Sequence, residues 1–154
     1  MTEHVFISEL LQETWFRFNK IVEVLRSEVD ASGYDIALEC NGYIRHVQLK
    51  TSFSDAARNN VNVNIALGEK PSGCVVWILR DEDYEECRVK FTYLFFGGKP
   101  GEPLLPLDNF KTGKHSKGDA NGIKGERKSI RVVPKSKFVR CSNITELIKL
   151  LFDI

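Results

Sequence analysis

Long apolar runs are missing from this chain of 154 residues. No stretch approaches the ~18 consecutive apolar residues that a bilayer-spanning helix requires, so no helical membrane span is expected. Cysteine is sparse and scattered: Cys40, Cys74, Cys87 and Cys141 include no CxxC pair. That argues against a zinc knuckle and a disulfide framework, and in a reducing compartment the four read as free thiols. Histidine is scarcer still. His4, His46 and His115 stand far apart, and HExxH and related metal motifs are absent. Gly97-Gly98-Lys99 and Gly113-Lys114 lack the GxxxxGK[ST] spacing of a nucleotide-binding loop, which speaks against nucleoside triphosphate binding. The opening MTEHVFISELLQE has neither the basic start nor the unbroken apolar stretch of a secretory signal, so a cytoplasmic location is the expectation. Neither an internal repeat nor a coiled-coil heptad is present.

What is present suits one domain, residues 1–154, because 42% hydrophobic and 28% charged residues can build one sizeable core under a solvated surface. A net charge of +1 hides a gradient. Residues 1–39 carry eight acids against Arg17, Lys20 and Arg26, whereas residues 108–141 carry ten bases against Asp108, Asp119 and Glu126. An acidic site beside a surface that attracts polyanions would have this asymmetry, with a solvated basic loop as the plainer account.

From Thr2 to Arg26, Leu11, Trp15, Phe18, Val22 and Leu25 recur at three- and four-residue intervals, which predicts one core-packing amphipathic helix. Tyr34 to Cys40 and Tyr43 to Thr51 read as strands, and Asn41-Gly42 between them is the signal of a two-residue hairpin turn. Phe53 to Asn60 is polar, a loop or short helix, and Val61 to Ala66 alternates as a half-exposed strand. Cys74 to Leu79 and Arg88 to Phe96 read as buried strands joined by a solvated acidic DEDYEE connection. Gly97 to Gly125 reads as a long surface loop or flap. Ser129 to Val133 is a short strand, and Asn143 with Glu146 marks the start of a last helix, Ile144 to Phe152.

The hairpin carries a geometric consequence. With Cys40 opposite Tyr43, walking back along both strands sets Asp35 opposite Gln48, and Lys50 follows Gln48 on the same face. Tyr34, Ile36, Leu38, Cys40, Val47 and Leu49 take the other face, the core side. Core filling does not explain the polar trio.

An acid at the start of one strand followed by Gln-x-Lys on its partner, Gly33-Tyr34-Asp35 and then Gln48-Leu49-Lys50, resembles the D-(E/Q)xK signature of the PD-(D/E)XK, or restriction-endonuclease-like, nuclease superfamily. The spacing alone is weakly specific. Its context, a hairpin after an amphipathic helix and before further strands, is similar to the α-β-β-β-α-β core of that superfamily over about residues 3–96. The basic segment and C-terminal strand and helix, 97–154, lie outside it. Tyr34 replaces the family's proline, Gln48 stands where glutamate is commoner, and little chain separates the helix from Gly33 for a first core strand.

The resemblance implies an α/β, restriction-endonuclease-like mixed sheet flanked by helices and a Mg2+- or Mn2+-dependent endonuclease acting on nucleic acid, with DNA expected. It makes Asp35 the principal metal ligand, with the Gln48 side chain and the Leu49 carbonyl completing ligation, and Lys50 the group that orients water and stabilises developing charge. A carboxylate from the first helix is frequent in the family. Glu13 is the choice if a short strand lies between Arg26 and Gly33, with Glu23 or Glu28 closer otherwise and Glu9 a further candidate. Lys124, Arg127, Lys128 and Arg131 are the expected phosphate contacts, and homodimerisation is left open. The competing account is a noncatalytic nucleic-acid or protein-binding module on a degenerate nuclease fold, with Asp35 and Lys50 an incidental ion pair and Glu13 paired to Arg17 one turn on. His46, beside Gln48, reads as an ordinary half-exposed histidine. Trp15, Phe16, Phe18 and Trp77 read as core rather than base-stacking platforms.

Overall fold

The computed structural model describes residues 1–29 and 31–154. Helix α1 covers Thr2–Phe18 and not the predicted Thr2–Arg26. It stops at Asn19, which adopts a left-handed conformation (φ 52°), while the N–H groups of Asn19 and Lys20 satisfy the last carbonyls of Trp15 and Thr14. The chain reverses there, and strand β1 (Glu23–Arg26) follows. The first core strand therefore exists, in residues that the helical periodicity had claimed. Val22 and Val24 share one face of an extended chain as naturally as Val22 and Leu25 share a helical stripe, and β-branched valine prefers the strand.

The face that α1 buries is also different from the predicted one. Phe6, Leu10 and Thr14 are fully buried, with the Thr14 hydroxyl donating to the Leu10 carbonyl at 2.7 Å. Leu11, Trp15, Phe16 and Leu25 are exposed, which corrects the reading of Trp15 and Phe16 as core.

A six-stranded sheet is ordered β1-β2-β3-β5-β6-β9, with β2 at Ile36–Cys40, β3 at Tyr43–Phe53, β5 at Cys74–Asp83, β6 at Arg88–Gly97 and β9 at Val139–Cys141. β3 and β5 run parallel and the other neighbours antiparallel. A three-stranded sheet is ordered β4-β8-β7, from Asn60–Asn64, Glu126–Pro134 and Lys111–Lys114. Helix α2 (Ile144–Phe152) begins as predicted: the Asn143 side chain accepts from the Glu146 N–H at 3.0 Å and the Glu146 carboxylate accepts from Ser142 N–H at 2.7 Å. Such a cap contributes about 1 kcal/mol.

The large sheet separates two cores. Cys74, Val76 and Ile78 of β5 face α1 and α2, packing with Phe6, Leu10, Ile36, Leu38 and Leu147. Val75, Trp77 and Leu79 face the small sheet, packing with Val61, Val63, Leu67, Val133 and Phe138. Burial on both sides explains why β5 is continuously apolar, and Trp77 is core as predicted. The molecule is thus a mixed α/β structure with both helices on one face. The crossover between parallel β3 and β5 is made by β4 and a 3₁₀ turn (Ile65–Glu69) where the α-β-β-β-α-β pattern would have a helix.

Three further expectations change. The acidic DEDYEE run is no simple loop, because β5 extends to Asp83 and pairs with Arg88. Within Gly97 to Gly125, β7 forms and Leu104 and Leu107 are buried, so the segment is partly a wall of the second core. The C-terminal part is integral to the fold, since β9 pairs with β6 and α2 fills the helical core. All four cysteines are free thiols, and no helix among the described residues is long and apolar enough to cross a membrane.

Candidate functional site

The hairpin forms in the predicted register, Cys40 opposite Tyr43 through to Ile36 opposite Val47. Asn41 and Gly42 both take positive φ, 55° and 81°, as the tight turn requires. Just before Ile36 the ladder slips. The Asp35 N–H donates to the Val47 carbonyl at 2.9 Å although Val47 is already the partner of Ile36, so two residues of one strand oppose one of the other, as in a β-bulge. A one-residue slip exchanges the faces of everything beyond it. Asp35 is therefore not directly opposite Gln48. Tyr34 moves off the helical core side predicted for it and meets the His46 ring edge-on, centroids 4.8 Å apart, against the second core.

Displaced from the ladder, the Asp35 carboxylate reaches along β3, and its Oδ2 accepts the Leu49 N–H at 2.6 Å. Gln48 and Lys50 flank that residue. Lys50 is half-buried and stands beside Trp77 of β5, so its side chain belongs to the face covered by the small sheet. Gln48 is 9% exposed, and its Oε1 is buried without a hydrogen-bond partner among the described residues. An unpaired carbonyl oxygen in such a place costs about 1–3 kcal/mol unless something coordinates it. His46 is engaged structurally, its Nδ1 lying 2.7 Å from the Pro71 carbonyl.

The approach to Asp35 depends on glycine. Gly33 has φ +74°, and a Cβ there would stand 2.9 Å from Asn64 Cβ and 3.2 Å from Leu67 N. Only glycine lets the 3₁₀ turn lie this close behind the acid.

On the helical side Asp35 borders a recess of ≈ 260 Å³ that it shares with Glu3, Arg26, Ser27, Glu28 and Tyr34; Gln48 and Lys50 are not among its walls. Glu3, in the first turn of α1, is ion-paired to Arg26 at 3.3 Å. The structure does not bring Glu13 to this site. Its carboxylate is bonded to the Thr145 hydroxyl of α2 and to Arg17, which together hold its pKa below the ordinary carboxylate value. Glu9 accepts from the Tyr93 hydroxyl at 2.7 Å, and Glu23 lies at the far end of β1 from Arg26. Of the acids weighed from sequence for this role, only Glu28, which follows β1, lines the recess. Glu3 went unnoticed because the sequence did not show that α1 ends at Phe18 and is followed by β1, the reversal that brings its first turn to Arg26.

The oxygens the motif offers are hard: the Asp35 carboxylate, the main-chain carbonyl of Leu49, whose N–H that carboxylate accepts, and the Gln48 amide oxygen, buried on the face of β3 that also carries Lys50. No group of three histidine, cysteine, aspartate or glutamate side chains able to hold a metal ion occurs among the described residues. A centre here would lean on amide and main-chain oxygens and on water, a set that suits Mg2+ or Mn2+ and not zinc.

Lys124, Arg127 and Lys128 are exposed at the start of β8 and just before it. Arg131 is half-buried, and its guanidinium donates to the carbonyls of Lys128 (2.6 Å) and Ile130 (3.2 Å), so part of its capacity serves the fold. Lys135, from the same basic segment, holds its ammonium 5.6 Å from the Trp77 ring centre and its N–H on the Asn59 carbonyl at 2.7 Å. The basic sheet and Lys50 thus lie on the same side of the large sheet. Compared with protein-family models, curated proteins and solved structures, the chain matches none.

Proposed function

We propose that this chain is a metal-dependent phosphodiesterase of restriction-endonuclease-like type that cuts nucleic acid, DNA in the first instance. The observation that carries the reading is the end of the hairpin: beyond a bulge the Asp35 carboxylate is bonded to the N–H of Leu49, the residue between Gln48, whose buried amide oxygen has no hydrogen-bond partner among the described residues, and Lys50. An isolated salt bridge would not need the bulge, the glycine behind it or an orphaned amide. Hydrolysis of a phosphodiester brings water against a phosphorus that is already surrounded by negative oxygens. A bound Mg2+ or Mn2+ would polarise the phosphate and lower the pKa of that water.

Asp35, Gln48 and the Leu49 carbonyl are the groups to hold the ion, with Glu3 or Glu28 the carboxylate nearest to completing the set. Lys50, half-buried beside Trp77, would set its ammonium against the reacting phosphate, where partial desolvation would strengthen its attraction for developing charge. The exposed Lys124, Arg127 and Lys128 supply sequence-independent contacts to the backbone.

The test is cleavage of supercoiled and linear DNA by the purified chain with Mg2+ or Mn2+, with EDTA and the Asp35→Ala variant as controls. Metal-dependent cleavage lost in both controls is expected. A second reading, a noncatalytic binding module, is favoured by the Asp35–Leu49 bond if that bond merely closes the hairpin. It predicts DNA binding without cleavage and no effect of Mn2+ on thermal unfolding.

A further inference from the structure

The two edges of the large sheet differ. β9 is three residues long and leads directly into α2. β1 pairs with β2 on one side and, among the described residues, with no strand on the other. An open edge is a template for another strand; β1, Glu-Val-Leu-Arg, is guarded by neither proline nor a bulge, and its two charges, Glu23 and Arg26, are of opposite sign. Its outward groups can be assigned. Ser27 N–H donates to the Asp35 carbonyl at 3.0 Å in continuation of the β1–β2 register. Hydrogen-bonded pairs alternate along an antiparallel ladder, so Glu23, Leu25 and Ser27 turn their main chain toward β2 while Val24 and Arg26 turn theirs outward.

The side chains along this edge are apolar in the open. Ile21, Leu25 and Val29 are 67%, 60% and 66% exposed. Leu11, Trp15 and Phe16 of α1 continue the surface and, with Ile21 and Val22, line an apolar recess at one end of the strand. Apolar surface beside unpaired main chain marks a contact site.

We propose that this edge is the interface of a homodimer, β1 pairing antiparallel with β1 of a second copy about a two-fold axis through Leu25. A two-fold axis normal to the sheet must centre on a residue, because paired residues share a face. Centring on Glu23 sets that carboxylate on its copy, centring on Arg26 does the same with guanidinium, and centring on Val24 sets Glu23 against Leu25. Only Leu25 gives chemical agreement. Leu25 then meets its copy, Glu23 stands opposite Ser27, and the outward N–H and C=O groups of Val24 and Arg26 bond each other. Counting from Leu25 in either direction along the strand, the same face reads apolar then polar, as a self-complementary surface must. The dimer does not depend on the proposed catalytic activity.

Sedimentation of the full chain should show a dimer at micromolar concentration, and Leu25→Lys should make it monomeric with unchanged circular dichroism. The register is tested by disulfide trapping with oxidised glutathione in a Cys87→Ser background, which removes the exposed thiol. Leu25→Cys should cross-link nearly completely, because a non-hydrogen-bonded antiparallel pair has its Cα atoms about 4.5 Å apart, within disulfide range. Glu23→Cys, on the same face but well off the axis, should not. A chain that stays monomeric at hundreds of micromolar, a dimer that survives Leu25→Lys, or equal trapping of both variants would overturn the proposal.

Discussion

The carboxylate of Asp35 accepts the main-chain N–H of Leu49 at 2.6 Å, and the Leu49 carbonyl is itself one of the oxygens expected to face a metal. One residue of β3 thus holds the acid and offers a donor beside it. Stability and chemistry can therefore be separated at Asp35. Asp35→Asn keeps an acceptor for the N–H and should unfold within a few degrees of wild type, whereas Asp35→Ala should lose ~1.5–3 kcal/mol, as for a hydrogen bond to a charged group. Both should abolish metal-dependent cleavage. Urea unfolding with a plasmid-nicking assay on the same preparations checks this; activity surviving in Asp35→Asn would remove Asp35 from the reaction.

Gln48→Glu adds a carboxylate at a buried position next to Leu49, the residue whose N–H the Asp35 carboxylate accepts. Without metal, desolvation and like-charge repulsion should lower the melting temperature. With Mn2+ the cation absorbs that charge, and the variant should gain more thermal stabilisation than wild type. A scan of both proteins with and without Mn2+ decides it. A variant destabilised equally in both conditions would count against a metal site.

Glu13 gives a pH prediction away from the site. Its pKa is lowered first by the Thr145 hydroxyl and then by Arg17. A depressed carboxylate stabilises the fold fully above its unfolded value, near 4.5, and that stability disappears as pH falls through the lower folded value. Thr145→Val should bring the Glu13 titration back toward 4.5 and move the onset of acid unfolding to higher pH, leaving cleavage unchanged at neutral pH. Carboxyl-detected NMR titration together with melting curves across the acid range measures both.

The combined neutralisation of Lys124, Arg127 and Lys128 to alanine should weaken DNA binding alike for all sequences. It should also reduce the slope of log affinity against log salt by ~0.9 for each phosphate that is no longer neutralised. Arg131→Ala should behave differently and lower stability too, because its guanidinium bonds the Lys128 and Ile130 carbonyls. Fluorescence anisotropy at several salt concentrations distinguishes them; an unchanged slope in the triple variant would remove these residues from the interface.

The buried face of α1 can be checked by neighbouring leucines. Leu10→Ala opens a cavity against Ile36 and Leu38 and should cost ~2–5 kcal/mol, whereas Leu11→Ala, at the exposed surface, should cost under ~1 kcal/mol. Urea denaturation of both variants reads the difference directly.

Local chemistry determined much of this molecule. Asn41-Gly42 specified its hairpin, the continuous apolar run of β5 its central strand, and Asn143 with Glu146 the start of α2, because each signal acts within a few residues. The sequence also put Gln48 and Lys50 on one face of β3, as strand alternation requires, and they stand there beside Val75 and Trp77, whereas Asp35, expected directly opposite Gln48, is displaced by the bulge. Tertiary structure decided the rest. Where α1 ends, and hence which glutamates share a recess with Asp35, depends on whether residues 19–26 gain more by extending a helix or by pairing with β2, a contest between local propensity and non-local hydrogen bonding. The bulge at Asp35 is of the same kind. No residue type announces it, and it arises where Gly33, the 3₁₀ turn and the strand end must pack together, shifting Tyr34 to one side and turning the acid along β3.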